Sequence, residues 1–231
     1  MCAAAPDSGG ELEQTLVSGL RQLEAHQGVL VERNALPPLL SYVQLLNKWN
    51  RVYNLTAVRE PKAMIQRHIL DSLVLCRWLP VRSKACTNVA GEEIVDVLDI
   101  GSGAGLPVLP LAIARPDLQF ASVESNGKKT RFQQQVLLEL GLTNVHVLNL
   151  RIQDVQLRAA CVTSRAFTAP HGFLSIASEF CLAEGTAIVM LGQRDRLPEP
   201  LPHPYALEEL LPLTIPGICG ARHIAVCRRL G

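Results

Sequence analysis

Three glycines at alternate positions, Gly101, Gly103 and Gly105, have the spacing of a turn that holds a nucleotide-like ligand. They follow residues 95–100, a short apolar run rich in β-branched residues that is typical of a buried strand. Pro107 comes next, and proline suits the first turn of a helix. Glycine lets the backbone turn sharply and lets a ligand approach closely. The order strand, loop, helix therefore predicts a ligand site at the carboxyl end of the strand.

Glu124 supplies a second part of this site. It ends another strand-like run, residues 118–124, and stands 23 residues after Gly101. An acid about 20 residues beyond a glycine turn lies at the tip of the neighbouring strand, within reach of a ribose. Because a carboxylate only accepts hydrogen bonds, it suits a vicinal diol. The loop and the acid together predict a site for an adenosine-type cofactor.

The glycine spacing also bears on the identity of that cofactor. In the dinucleotide fingerprint the third glycine would stand at the position of Leu106, whereas here it comes one residue early. This departure favours a ligand without phosphates, such as S-adenosylmethionine. An NAD-dependent oxidoreductase stays open as an alternative, although no catalytic Tyr-Lys or His-Arg pattern accompanies the glycines.

Composition limits the classes of protein that need to be considered. The 231 residues carry a net charge of +1 and are 48% apolar, which is ample for a core but gives no global signal for nucleic acid. We expect neither a membrane span nor a secretory signal, because the apolar runs are too short. The seven cysteines are scattered without a C-x-x-C pair. We therefore expect no disulfide framework, no metal site and a cytoplasmic location.

Helical and strand patterns alternate along the chain. Apolar residues at helical spacing predict three helices, over residues 12–23 and 39–46 and from Pro61 onward. About seven strand-like runs follow among further helices, and the last two could pair as an antiparallel hairpin. We predict an α/β protein with one doubly wound, mostly parallel, seven-stranded sheet. Its parts would be a tail at residues 1–10, a helical cap at 11–82, a connecting loop at 83–93 and the ligand-binding domain at 94–231.

Two stretches of the cap are not typical of a protein surface and could have a functional role. Lys48 and Arg51 lie among two aromatic residues and two asparagines, although solvated cations beside a core tryptophan would look the same. Arg67 precedes His68, and His68 shares a helix face with Asp71, three residues later. A histidine and one carboxylate do not make a metal site.

Two further groups of cations lie near the expected ligand edge of the sheet. Lys128 and Lys129 open a helix, where cations oppose the helix dipole, which suggests that they serve a ligand such as phosphate. A solvated basic face is an equally good interpretation. Arg165 stands at the carboxyl tip of the fourth strand, where an arginine could bind a carboxylate or a phosphate.

Five motifs, in order, resemble the RsmG family, also called glucose-inhibited division protein B, which methylates small-subunit ribosomal RNA in bacteria. The motifs are Lys48-Trp49-Asn50 with Tyr53-Asn54-Leu55-Thr56; Arg67-His68-Ile69-Leu70-Asp71-Ser72; Leu98-Asp99-Ile100-Gly101-Ser102-Gly103-Ala104-Gly105-Leu106-Pro107; Val123-Glu124-Ser125 with Gly127-Lys128-Lys129; and Ser164-Arg165-Ala166-Phe167. The resemblance runs from about residue 39 to the end of the sequence.

The resemblance implies a class I methyltransferase fold, S-adenosylmethionine as donor, and N7 of a guanosine in 16S ribosomal RNA as acceptor. Guanine N7 has a lone pair and no proton, so no general base is required. Arg165 and His68 would position the RNA, free or within the ribosomal subunit, and the basic candidates for RNA binding are Lys48, Arg51, Arg67, Lys128 and Lys129. By motif, the cofactor contacts fall on Gly101, Gly103, Gly105, Leu106, Glu124 at the ribose, Ile152 and Gln153 at the adenine, and Arg165 at the pocket edge.

The sequence departs from the family at three places. Val108 and Leu109 stand where the family has Gly-Ile, Gln153 replaces an acid, and Leu191 replaces the lysine of a Lys-Gly pair after the fifth strand. These changes keep a third function open, a non-catalytic RNA-binding or ribosome-assembly protein.

Overall fold

One seven-stranded sheet organises the molecule, whose computed structural model describes residues 8–81, 93–165, 168–192 and 196–231. The strands are β1 (Glu93–Ile100), β2 (Phe120–Val123), β3 (Val145–Leu148), β4 (Leu157–Ser164), β5 (Cys181–Leu191), β6 (Tyr205–Pro212) and β7 (His223–Arg229). Their order in the sheet is β3-β2-β1-β4-β5-β7-β6. The first five strands run parallel, and β7 is antiparallel to both of its neighbours. The predicted doubly wound, mostly parallel sheet of the class I methyltransferase type is confirmed.

Seven α-helices accompany the sheet in the described residues. They are α1 (Ser8–Gln27), α2 (Leu36–Tyr53), α3 (Pro61–Met64), α4 (Asp71–Leu73), α5 (Val108–Ala114), α6 (Gly127–Leu140) and α7 (Pro170–Phe180). A π-helical turn, Ile65–Leu70, joins α3 to α4, and short 3-10 turns are Arg33–Ala35, Val74–Trp78 and Ile152–Asp154. The helix predicted from Pro61 onward therefore exists, but it contains a π-helical turn and ends in a 3-10 turn.

The two faces of the sheet pack against different helices. Successive side chains of a strand point to opposite faces, so Val97 and Leu98 of β1 contribute to two separate apolar clusters. The first cluster contains α5, α6 and the buried sides of α1 and α2, and the second contains α7. The N-terminal helices thus share one core with half of the sheet.

Two strands of the second half of the sheet have local irregularities. β5 begins at Cys181, directly after α7, and its pairing with β4 shifts register between Ala159 and Cys161. Pro212 is the last residue of β6, and β6 lies at the edge of the sheet, where a missing N–H that faces away from β7 costs no ladder hydrogen bond.

Parts of the predicted tail and connecting loop, residues 1–7 and 82–92, lie outside the described residues, as do Ala166 and Phe167 of the fourth-strand motif and residues 193–195. The division into a cap and a ligand-binding domain stays a prediction. Within the described ranges, no helix has the length and apolarity needed to cross a lipid bilayer.

Candidate active site

The glycine turn after β1 has the backbone that only glycine adopts readily. Gly101, Gly103 and Gly105 have φ angles of 72°, 59° and 83°, in the left-handed region where a Cβ is strained. A Cβ on residue 105 would also overlap Leu109 in the following helix. The amide of Gly101 donates to the carbonyl of Val123 at 2.9 Å, which fixes the start of the turn against the end of β2. The turn therefore presents backbone without side chains at the carboxyl ends of β1 and β2.

A closed ring of buried hydrogen bonds supports this glycine turn from below. Gln133 of α6 donates from Nε2 to Ser102 Oγ at 2.9 Å and to the carbonyl of Gly103 at 2.8 Å. Ser122 Oγ donates to Gln133 Oε1 at 2.6 Å and lies 2.6 Å from Ser102 Oγ. All three side chains are buried. Because every polar group of the ring is paired in a low-dielectric interior, the ring fixes the turn strongly.

Tyr42 connects the N-terminal helices to the same turn. Its side chain is completely buried in α2, and its hydroxyl donates to the carbonyl of Ala104 at 2.9 Å. Its ring packs near Phe132 of α6, with 6.1 Å between centroids, and burial raises the pKa of the phenol. The phenol therefore stays a neutral donor to the turn.

Glu124 faces the glycine turn from the tip of β2. Its Oε2 accepts from the amide of Gly103 at 2.9 Å and its Oε1 accepts from the amide of Asn126 at 2.8 Å, and the residue is 8% exposed. Each oxygen of a carboxylate has two lone pairs, so each can accept one more hydrogen bond. The predicted pairing of turn and acid therefore exists as a direct contact.

Asp99 is a buried acid of this region to which sequence reasoning gave no role. It lies near the end of β1 with no exposed surface, and neither carboxylate oxygen has a hydrogen-bond partner of good geometry. Burial raises its pKa well above the usual range, against the opposing effects of the Val108 amide and Arg165. The signal that could have found it was an acid two residues before the glycine turn, in a strand that also contains Asp96.

The other predicted cofactor residues lie around the turn. Leu106 and Ile152 are buried, and Gln153 is exposed in the 3-10 turn that follows β3. Lys129 is half-buried, and its Nζ comes within 4.0 Å of the point where a Cβ on Gly103 would lie. Lys128 is exposed on the first turn of α6. The two lysines, predicted as a pair, thus face different surroundings.

A loop after α2 presents a threonine to His68. Asn50 Nδ2 donates to the carbonyl of Val58 at 2.9 Å, and Asn50 Oδ1 accepts from the amide of Thr56 at 2.9 Å. Asn54 ends α2 in the left-handed conformation, and its side chain accepts from Arg59 at 2.7 Å. Asn50 and Asn54 therefore fix the conformation of the loop after α2, and this loop places Thr56 next to His68.

His68 is held at both ring nitrogens. Nε2 lies 2.8 Å from the hydroxyl of Thr56, and Nδ1 lies 2.9 Å from the carbonyl of Arg67. Arg165 Nη2 also lies 3.3 Å from Nδ1, but the shorter contact with the carbonyl of Arg67 fits a neutral ring that donates from Nδ1 and accepts at Nε2. Burial, and secondarily the charge of Arg165, lowers the pKa of His68 to about 4. His68 is therefore neutral at physiological pH.

Arg165 lies at the tip of β4, as expected, and meets Asp71 next to His68, a contact that the sequence did not predict. Arg165 Nη1 donates to the carbonyl of Arg67 at 3.0 Å and lies 3.4 Å from Asp71 Oδ2. Asp71 Oδ1 lies 3.7 Å from Nε of Arg222, a residue that sequence reasoning missed. Burial raises the pKa of Asp71, and the two arginines oppose that effect.

These residues line an open cleft of about 810 Å³, here named the arginine cleft. Its charged and polar lining residues are Arg67, His68, Asp71, Ser164, Arg165, Thr168, Arg196 and Arg222. Ser164 Oγ donates to the carbonyl of Ile100 at 2.8 Å, immediately before the glycine turn. The arginine cleft and the glycine turn therefore adjoin at the carboxyl ends of β1 and β4.

Not every predicted RNA-binding residue lies in the cleft. Arg67 lines it, whereas Lys48 and Arg51 line a separate depression of about 300 Å³ with residues of α1 and α2 and with Pro61. Trp49 packs between Tyr53 and Phe132, with centroid distances of 5.2 and 5.7 Å. Across the described ranges, no three metal-ligating side chains form a group.

Comparison with known proteins places the chain in a family. Residues 35–204 match the family model described as rRNA small subunit methyltransferase G. The ribosomal RNA small subunit methyltransferase G of Nitrosospira multiformis is 40% identical over 215 residues, covering 88% of this chain and 93% of that protein. The protein of the same name from Xylella fastidiosa is 39% identical over 203 residues, covering 86% and 89%.

A solved structure agrees at the level of the fold. TrmN from Thermus thermophilus superposes with a TM-score of 0.51 at 16% identity, over 72% of this chain and 53% of that one. The family match covers most of the chain and includes the glycine turn, Glu124, His68 and Arg165. This protein belongs to the rRNA small subunit methyltransferase G family.

Proposed function

We propose that this protein transfers the methyl group of S-adenosylmethionine to N7 of a guanosine in small-subunit ribosomal RNA, in the bacterial cytoplasm where that RNA is made. Family membership supports the reaction type and the RNA. The observation that carries the proposal is the junction at Ser164, where the glycine turn and the arginine cleft adjoin. A donor in one and an acceptor in the other would bring their reacting atoms together.

The residues around the turn fit S-adenosylmethionine. Gly101, Gly103 and Gly105 of the turn carry no side chains, and at Gly103 the space that a Cβ would fill is open, with Lys129 Nζ the nearest atom at 4.0 Å. Glu124 has lone pairs left for the two ribose hydroxyls. Buried Ile152 offers an apolar surface to an adenine, with Gln153 beside it. When bound, S-adenosylmethionine supplies an electrophilic methyl group on a sulfonium, which leaves as a neutral thioether.

The substrate half needs alignment rather than proton transfer. Guanine N7 attacks with a lone pair in the ring plane and releases no proton, so no residue has to act as a base. His68 suits a positioning role because Thr56 and the carbonyl of Arg67 occupy both of its nitrogens. The same carbonyl accepts from Arg165. Holding the reacting atoms in line can contribute several kcal/mol to the rate.

The RNA would approach from the open side of the cleft. Arg67 lies there, Lys48 and Arg51 lie on the surface of the N-terminal helices, and Lys128 lies on α6. The base has to be unstacked or already exposed before its N7 can reach the junction. Whether free RNA or the assembled subunit meets these demands is part of the test.

Methyl transfer to RNA containing 7-deazaguanosine in place of guanosine tests the proposed atom. The protein should transfer label from S-adenosylmethionine to ordinary small-subunit RNA or subunits, and mass mapping should place it on one guanosine. RNA with 7-deazaguanosine keeps the base-pairing groups but lacks N7, so transfer should disappear. Transfer that persists would show another acceptor atom. No transfer to any substrate, with S-adenosylmethionine still bound, would establish the non-catalytic alternative.

A further inference from the structure

The arginine cleft has more positive charge than its own acid can balance. Arg67, Arg165, Arg196 and Arg222 line it, and Asp71 is the one carboxylate among its described lining residues. His68 adds no charge because its pKa is lowered to about 4. Like charges in a partly desolvated cleft repel one another, and a cleft lined by one sign of charge attracts the opposite sign. The cleft therefore suits an anionic ligand.

Arg222 enters the cleft from the antiparallel strand pair at the end of the sheet. Leu191 of β5 pairs with His223 of β7. Arg222 consequently lies beside Gly192, and both residues line the cleft. Leu191, at the position where the family resemblance leads one to expect a lysine, is only 3% exposed. The neighbouring strand thus supplies a cation at the edge of the sheet where the fifth strand lacks one.

The contacts of Arg222 within the protein are weak. Its Nε is 3.7 Å from Asp71 Oδ1, which is too far for a hydrogen bond, and its Nη1 donates to the carbonyl of Ala221 at 3.2 Å. The side chain is 38% exposed, and a guanidinium has five N–H donors in a fixed fork. Most of these donors are available to a ligand.

Arg67 and Arg196 have still fewer contacts. Both are exposed, and their side chains have no hydrogen bond or ion pair with any described residue. Arg165 differs because it already binds the carbonyl of Arg67 and contacts Asp71. The cleft therefore has one arginine fixed next to the junction with the glycine turn and three with donors to spare.

We propose that Arg222, together with Arg67 and Arg196, binds a backbone phosphate of the RNA beside the guanosine that is methylated. This inference rests on the proposed function. A guanidinium fork matches two oxygens of a phosphate in a bidentate contact, and a phosphodiester supplies the negative charge that the cleft lacks. The phosphate would fix the nucleotide, while Arg165 lies next to the base.

The salt dependence of RNA binding tests the proposal through Arg222→Gln. Each phosphate contact contributes about 0.7 to 0.9 to the slope of log K against log salt concentration. We expect the variant to bind small-subunit RNA about tenfold more weakly at low salt, with a slope smaller by that amount and an unchanged affinity for S-adenosylmethionine. Arg222→Lys keeps the charge and should restore the slope.

Arg33→Gln is the matched control. Arg33 is exposed and lies before α2, whose 18 residues span about 27 Å between it and the loop that contacts His68. It should leave the slope unchanged. An unchanged slope in Arg222→Gln, with or without a lower melting temperature, would overturn the proposal and leave Arg222 as a partner of Asp71. Failure of the wild-type protein to bind or methylate the RNA would instead count against the proposed function.

Discussion

The glycine turn and the arginine cleft adjoin at Ser164, but they are built differently. Under the turn, Gln133, Ser102 and Ser122 form a closed ring of buried hydrogen bonds of 2.6 to 2.9 Å. In the cleft, Asp71 has contacts of 3.4 and 3.7 Å with two arginines. The polar groups under the turn are thus paired within the protein, whereas the cleft has donors and positive charge that the protein leaves to solvent or to a ligand. The difference fits the proposed roles, a preorganised cofactor side and a substrate side that bound RNA would complete.

The largest expected effect comes from removing the acid that faces the turn. Glu124→Ala deletes the acceptor of the Gly103 amide and of the proposed ribose hydroxyls, and charge-assisted hydrogen bonds are strong. We expect about a hundredfold weaker binding of S-adenosylmethionine by calorimetry. Glu139→Ala, at an exposed position on α6, is the control. Unchanged affinity in Glu124→Ala would refute the role of Glu124 and the contrast between the two regions.

Breaking the buried ring should cost stability on the preorganised side. Gln133→Met keeps the bond between Ser102 and Ser122 but removes the acceptor for one buried hydroxyl and the donor to the Gly103 carbonyl, which lowers the free energy of unfolding by about 2 kcal/mol. Urea denaturation measures this loss, and cofactor binding should weaken as well. Gln134→Met changes the exposed neighbour on the same helix and should have little effect. Equal stability of the two variants would mean that the ring does not hold the turn.

His68 gives the cleft side a stability that depends on pH. Its pKa is lowered from 6.5 to about 4 in the folded protein, so between these values the unfolded chain binds the extra proton. The contribution of His68 is therefore complete above pH 6.5 and is lost as the pH falls towards 4. Between pH 7 and pH 5 we expect a loss of about 1 to 2 kcal/mol.

Urea denaturation of wild-type protein and His68→Gln across that pH range isolates the effect. The raised pKa of Asp71 acts in the opposite direction, but it is present in both proteins, so the difference between them reports on His68. If the two proteins lost stability in parallel as the pH fell, the imidazole of His68 would not be held neutral in the folded protein.

The smallest effect separates the two lysines of α6. Lys128 is exposed, whereas the amine of Lys129 approaches the glycine turn. Lys128→Glu should weaken RNA binding only a few-fold and leave cofactor binding unchanged, because an exposed charge is screened by salt. Lys129→Glu should also change the affinity for S-adenosylmethionine. If the two variants had the same effects, Lys128 and Lys129 would belong to one basic patch, as the sequence suggested.

The sequence predicted the position of residues whose place follows from local order. Gly101, Gly103 and Gly105 follow a strand, Glu124 ends the next one and Arg165 ends the fourth, so the ends of parallel strands predict where each residue lies. Sequence reasoning failed for Gln133 and Tyr42. Each looks like an ordinary member of an amphipathic helix, and their partners stand 31 and 62 residues away.

The sequence by itself determined the order of strands and helices, the bare turn and the acid opposite it, because side-chain periodicity and glycine conformation are local properties. Only the tertiary structure decided that Thr56 meets His68, that α2 supports the turn and that Arg222 enters the cleft beside Leu191. Those contacts depend on the antiparallel register of the last strands and on how α2 and the widened turn at Ile65–Leu70 pack against the sheet. Long-range packing of this kind leaves no periodic pattern in the chain.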